Sequence, residues 1–173
     1  MNIAYIYLQL YRLFDKSTPI KADCGKLCDS RCCRGSDCGM YLFPGEKEVF
    51  KLLAPDWAEI ERSDFVYKAG EKNKSSPILF CNGSCDRYQR PLACRIFPLT
   101  PYVNNENELE IIVDPRAKAI CPLAKCLDIE DFDKKFVKNI KRAFLLLMKN
   151  SEISEYMTSY SEYINEYKKF YEE

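Results

Sequence analysis

The sequence predicts an α+β fold: a small cysteine-rich core with short strands, covered by C-terminal helices. Three observations predict it. Ten cysteines of the 173-residue chain fall in three groups between residues 24 and 126. Short apolar runs bounded by Gly, Pro and Asn sit among them, as the strands of a small sheet would. From Asp128 onward no cysteine, proline or glycine occurs, and apolar residues recur with a helical period. The division is therefore residues 1–127 as a cysteine-cluster domain and residues 128–173 as a helical extension packed on it. Apolar residues make up 47% of the chain, enough for a core that need not rely wholly on staples.

Taken in order, residues 3–14 (IAYIYLQLYRLF) fit a strand or a buried helix, and periodicity alone does not separate the two. The cysteine loop follows. Residues 44–55 (PGEKEVFKLLAP) read as a short helix, with Pro44 near its start, Glu46 and Glu48 suiting the positive first turn, and Pro55 stopping it. Residues 65–68 (FVYK) and 77–81 (PILFC) read as short strands around a polar turn, GEKNKSS. Residues 109–113 (LEIIV) are the clearest strand. The turn-like NNEN at 104–107 precedes it, with Tyr102 and Val103 in the partner strand of a hairpin. Phe132, Phe136, Ile140, Phe144 and Met148 recur every four residues, widened by Val137, Leu145 and Leu147, which marks an amphipathic helix with Asp128 or Asp131 as its N-cap. Asn150 and Ser151 break it. A second stripe, Ile153, Met157, Tyr160, Ile164, Tyr167 and Tyr171, makes a second helix. The two are expected to cover the sheet, with a Tyr- and Met-rich protein-partner surface as the other use of that face.

Composition excludes several classes of function. Lys plus Arg and Asp plus Glu number 26 each, so the formal net charge is zero and broad nucleic-acid binding is not expected. No apolar run approaches the ~18 residues of a membrane span, and no membrane partner is expected. The opening segment lacks a positive n-region and a small-residue cleavage site, so the chain is expected to be cytoplasmic. There is no histidine, which removes imidazole general-base catalysis and the usual partner of a cysteine nucleophile. The glycines at 35, 39 and 45 do not have phosphate-loop spacing. The Cys24-x3-Cys28-x3-Cys32 run departs by one residue from the radical S-adenosylmethionine signature, and the chain is too short for the ~200–250 residues of a barrel. No catalytic residue is assigned.

In a reducing compartment clustered thiols point to metal or redox chemistry rather than disulfides. Ten cysteines in 173 residues is also about 6%, below the ~8–10% of disulfide scaffolds. The spacings are Cys24-x3-Cys28-x3-Cys32-Cys33-x4-Cys38, then Cys81-x3-Cys85-x8-Cys94, then Cys121-x4-Cys126. With sulfur the only soft ligand, all-thiolate zinc and iron–sulfur clusters suit the set, while oxygen-seeking calcium and magnesium do not. That makes the cysteine-rich core a metal-binding one. In an extended backbone the neighbours Cys32 and Cys33 point to opposite sides, which favours two centres, or one cluster plus a zinc. Arg87, Arg90 and Arg95 lie among the thiols of the second group. Of these, Arg90 and Arg95 are expected to surround the centre, offsetting thiolate charge and donating hydrogen bonds to sulfur.

These residues resemble a known family. The opening CGKLCDSRCC, the middle CDRYQRPLACRIFP and the late ICPLAKC resemble the YkgJ-type cysteine-cluster proteins, the CxxCxxCC zinc- or iron-chelating domain. The match R-P-x-x-C-R-x-F-P falls on Arg90, Pro91, Cys94, Arg95, Phe97 and Pro98, and the resemblance covers roughly residues 24–126. The opening gaps are x3 where that family has x2, and the Cys85–Cys94 interval is one residue shorter. By motif matching, the resemblance implies the metal ligands Cys24, Cys28, Cys32, Cys33, Cys81, Cys85, Cys94 and Cys121. Cys38 and Cys126 fall outside the pattern and stand as extra candidate ligands. The implied function is a cytoplasmic metal-binding protein that holds an iron–sulfur cluster, zinc, or both, in a redox, sensing or accessory role. The alternatives are a zinc-stapled interaction module whose C-terminal helices bind a protein partner, and an accessory to a methyltransferase. The last follows from a similar cysteine domain in flagellin lysine N-methylases.

Overall fold

The computed structural model describes residues 2–34, 39–83, 85 and 87–171. It is an α+β fold of seven α-helices and two small antiparallel sheets among the described residues. The opening apolar segment is a helix, α1 (Ile3–Phe14), capped by Asn2, whose side chain accepts from the Ala4 amide at 3.0 Å. It buries Ala4, Tyr7, Leu10, Tyr11 and Phe14, a helical spacing hidden within a nearly continuous apolar run. A single turn, α2 (Cys24–Cys28), carries the first cysteines. The first strand, β1 (Gly39–Tyr41), leads into α3 (Lys47–Leu53).

Two strands, β2 (Ala58–Ala69) and β3 (Lys72–Cys81), form a long hairpin, and β1 adds to the far side of β3 in the order β1-β3-β2. The hairpin corrects the expected pair of short strands. Ala69 pairs with Lys72, so only Gly70 and Glu71 make the turn, and most of the presumed polar turn is strand. β1 pairs Gly39 with Phe80, and a Cβ at Gly39 would meet the Ile78 and Phe80 side chains at 2.6 and 2.8 Å. Glycine there lets the strand lie against its neighbour.

After β3 come α4 (Leu92–Ile96) and the hairpin of β4 (Leu99–Val103) with β5 (Leu109–Val113). Asn104 closes that hairpin by accepting from the Glu106 and Glu108 amides, both at 2.9 Å. A short turn, α5 (Pro122–Cys126), precedes α6 (Lys134–Leu147) and α7 (Ser151–Tyr171). Asp133, rather than Asp128 or Asp131, caps α6, accepting from the Phe136 amide at 2.9 Å. Asp128 and Asp131 instead form a reciprocal cap on the preceding 3-10 turn. Asn150 breaks the helical run as expected and accepts from the Glu152 and Ile153 amides.

α7 lies across β2 and β4, α6 packs on β4 and β5, and α1 packs on α3 and α4. One apolar core runs through all of these elements. Phe14 meets Phe136 edge-on at 6.0 Å, and Phe43 meets Phe144 at 4.9 Å. Ile153, Met157, Tyr160 and Ile164 of the α7 stripe are buried in the core, while Tyr167 is half-buried. Tyr171's side chain lies outside the described residues. No helix among the described residues is long and apolar enough to cross a membrane.

Candidate metal centre

Each cysteine segment is shaped by local chemistry. Asp23 caps α2, its carboxylate accepting from the Gly25 amide at 3.2 Å, and the single turn sets Cys24 and Cys28 four residues apart on one face. Asp29 and Ser30 both adopt left-handed backbone, with φ of 54° and 52°, and the Ser30 amide returns to the Gly25 carbonyl at 2.8 Å. That double reversal, uncommon for non-glycine residues, turns the chain into a 3-10 turn over Arg31–Cys33. Arg34 pairs with Asp29 across it.

The 3-10 turn corrects the reading of the adjacent pair. Cys32 and Cys33 are not on an extended backbone, and their sulfurs lie 3.9 Å apart. Two thiolates sharing a tetrahedral ion with Zn–S bonds of about 2.3 Å stand about 3.8 Å apart. The geometric premise for assigning the pair to two centres is therefore gone.

The second segment comes off β3. Cys81 ends that strand opposite Ala58, and with Cys85 it packs against a small cluster of Leu42, Phe50, Trp57 and Leu79. Trp57 pins the loop by donating its indole N–H to Gln89 Oε1 at 2.8 Å. α4 then presents Cys94. In the third segment, Cys121 is buried at the start of α5 among Ala117, Ala124 and Phe97.

These segments meet. Cys24, Cys28, Cys32, Cys33, Cys94 and Cys121 line one cavity of about 370 Å³, together with Arg90 and Arg95. Cys85 and Cys81 adjoin it, close enough for their charges to act on Cys94. Cys85, Cys33 and Cys32 hydrogen-bond in series, and Arg90 Nε donates to Cys85 Sγ at 3.2 Å. The series sorts the thiols. A hydrogen bond with Cys33 lowers the Cys32 pKa, although burial and the charges of Cys94, Cys24 and Cys28 oppose it. The same bond raises Cys33. Cys85 is raised by its bond with Cys33 and then by burial, against the pull of Arg90. Cys94 keeps some exposed surface where the cavity opens onto it, but protein surrounds it, and that burial pushes its thiol up. Burial works against the Arg90 charge, yet the bond to Cys85 and the nearby Cys33 and Cys94 outweigh it and raise the guanidinium pKa.

Arg90 thus touches sulfur as expected. Arg95 does not. It is buried, and its guanidinium donates to Arg90 O at 2.6 Å, Tyr88 O at 2.8 Å, Tyr11 O at 3.0 Å and Asp15 Oδ1 at 2.6 Å, while stacking 4.5 Å over the Tyr11 ring. It fixes the loop that carries Arg90, and reaches the thiols through that loop. The Arg87 side chain and Cys38 lie outside the described residues. Cys126 is exposed and lines a separate recess with Lys125, Asp128 and Lys168, away from the other thiols.

The sequence reading missed Glu46, which it placed in a helix first turn. The residue has no exposed surface. Its carboxylate accepts from Tyr11 Oη at 2.6 Å, the Leu92 amide at 2.6 Å and the Phe43 amide at 3.1 Å. It therefore clamps the first residue of α4, the helix that carries Cys94 and Arg95. Nothing in PGEKEVF distinguishes this glutamate from Glu48, whose carboxylate meets Lys51 at the surface.

No disulfide joins any described cysteine. Among the described residues no three cysteine or carboxylate side chains close into a coordination sphere. The donor set nevertheless suits a thiophilic centre: thiols from three segments, one pair at ligand separation, and a guanidinium bonded to sulfur. Comparison of the chain with protein-family models, curated proteins and solved structures finds no match.

Proposed function

We propose that the chain is a metal-binding protein that holds an iron–sulfur cluster, zinc, or one of each in the cavity between α2, the Cys81–Cys94 segment and α5. The ligands are drawn from Cys24, Cys28, Cys32, Cys33, Cys81, Cys85, Cys94 and Cys121, and the role is redox, sensing or accessory, in the cytoplasm. One observation carries the reading: thiols from segments far apart in sequence gather around a single cavity. Gathered thiolates repel one another, and a bound cation is what makes such a cluster favourable while displacing the thiol protons. Arg90 and the loop held by Arg95 supply positive charge and hydrogen bonds at its edge. The resemblance to the YkgJ-type family supports the same ligands.

The test is metal analysis and visible absorbance of anaerobically purified protein, with alkylation mapped by mass spectrometry. At least one metal per chain is expected, brown if a cluster and colourless if zinc, with these cysteines protected and Cys126 labelled. Cys94→Ser is expected to lose most of the metal and Cys126→Ser to keep it. Protein that takes up neither zinc nor iron and sulfide on reconstitution sinks the reading, and so does full metal content in Cys94→Ser.

A further inference from the structure

The outer face of α6 breaks the ordinary rules of a surface helix. Its charged residues are Lys134, Lys135, Lys138, Lys141 and Arg142, with no acid among its fourteen residues. The chain as a whole is neutral, so this is a local excess. Lys134–Lys138 and Lys138–Arg142 are like-charge pairs one turn apart, and Lys134 and Lys135 sit at the positive end of the helix dipole. Each arrangement is unfavourable for the helix. None of these cations has an ion-pair partner among the described residues.

Beside them runs an open groove of about 620 Å³. Ile129, Phe132, Val137 and Leu145 form its apolar surface. Lys134, Lys138, Lys141 and Arg142 stand along it, with Glu130 the one acid in its lining. Leu145 is 52% exposed and the adjacent Leu146 43%. Apolar side chains left in water next to unpaired cations are a local inconsistency of the kind that marks a functional surface.

We propose that this groove docks an acidic amphipathic helix of a partner protein, whose leucine-type stripe covers Val137 and Leu145 while its carboxylates meet Lys134, Lys138, Lys141 and Arg142. The helix-in-groove mode matches both the concave apolar strip and the charges beside it. A membrane-surface helix lays its own apolar face into lipid, whereas that of α6, with Phe136, Ile140, Phe144 and Leu147, is already buried in the core, and nucleic acid would leave the aliphatic strip without a role. The interaction is independent of any metal in the cysteine cavity, which lies on other elements.

The experiment uses fluorescence anisotropy with the full chain and three labelled synthetic peptides. One carries an i, i+3, i+4, i+7 leucine stripe flanked by glutamates. The second has the same composition with the stripe scrambled, and the third replaces glutamate by lysine. The first is expected to bind, and the other two about tenfold or more weaker. In the double variant Lys138→Glu/Lys141→Glu, both at exposed positions, affinity for the acidic peptide is expected to fall at least about tenfold and affinity for the lysine peptide to rise. Leu145→Ser is expected to weaken binding with circular dichroism unchanged. Four results overturn the proposal: no binding of the striped peptide; equal binding of the scrambled one; loss in the variants of anionic-vesicle binding tighter than peptide binding; and self-association abolished by the same substitutions in place of peptide binding.

Discussion

Glu46 sits where a charge is expensive. It is fully buried, and burial pushes its pKa from 4.5 up to about 7, against the amides of Leu92 and Phe43, the Tyr11 hydroxyl and the Arg95 charge, all of which pull it down. Tyr7 and Tyr11 are raised in turn by burial and by this carboxylate. The native state therefore keeps a proton that the unfolded chain releases between pH 4.5 and about 7. Stability contributed by this site is full below pH 4.5 and declines as pH rises toward 7, by an amount on the order of a few kcal/mol. Urea unfolding of wild type and Glu46→Gln across that window checks it. The variant is expected to be less stable at the low-pH end, because its amide N–H₂ faces the Phe43 N–H, but to lose this fall with pH. An unchanged slope in the variant rules Glu46 out as its source. The gathering of the thiols was legible because cysteines repeat at telling intervals. Glu46 was not, because one buried carboxylate among surface glutamates has no pattern. The role of Arg95 was misread for a related reason: spacing shows that an arginine is near a thiol, not which acceptor its guanidinium reaches.

At the scale of elements, α6 and α7 were readable because one face of each is buried, which imprints the helical period on the sequence. α1 was ambiguous because its outward side is also apolar, with Tyr5 and Leu13 exposed. The β2–β3 hairpin was underestimated because its outer half carries polar residues on both faces, so the strand period is absent from KAGEKNKS. Backbone pairing, not burial, holds that half. Its turn depends on Gly70, which has a φ of +63° and whose amide donates to Glu155 Oε2 of α7 at 2.7 Å. A Cβ there would touch nothing within 4 Å, so any cost of substitution is conformational. Gly70→Ala is expected to lower stability by about 1 kcal/mol, and Gly70→Asn by less, since asparagine tolerates left-handed backbone. Chemical denaturation midpoints measure both. An unchanged midpoint in Gly70→Ala would mean that the turn does not need the left-handed residue.

For the whole molecule, the question is whether the helices merely cover the cysteine-bearing part or hold it together. Phe144 of α6 has no exposed surface and meets Phe43, which in turn meets Tyr156 of α7 at 5.7 Å. Phe43 is also the residue whose amide binds Glu46, and Glu46 binds the amide that starts α4. A continuous path of packing and hydrogen bonds thus runs from the C-terminal helices to Cys94. Truncating Phe144 to alanine removes a buried ring at a cost of about 3–5 kcal/mol, a large share of the 5–15 kcal/mol that stabilises a typical domain. If the two parts form one cooperative unit, Phe144→Ala is expected to lower the urea midpoint seen by far-ultraviolet circular dichroism and by Cys94 alkylation equally, the two transitions coinciding as in wild type. Alkylation that holds its wild-type midpoint while the helical signal melts earlier would show that the cysteine segments fold without the helices. The path through Phe43 and Glu46 would then be packing without coupling.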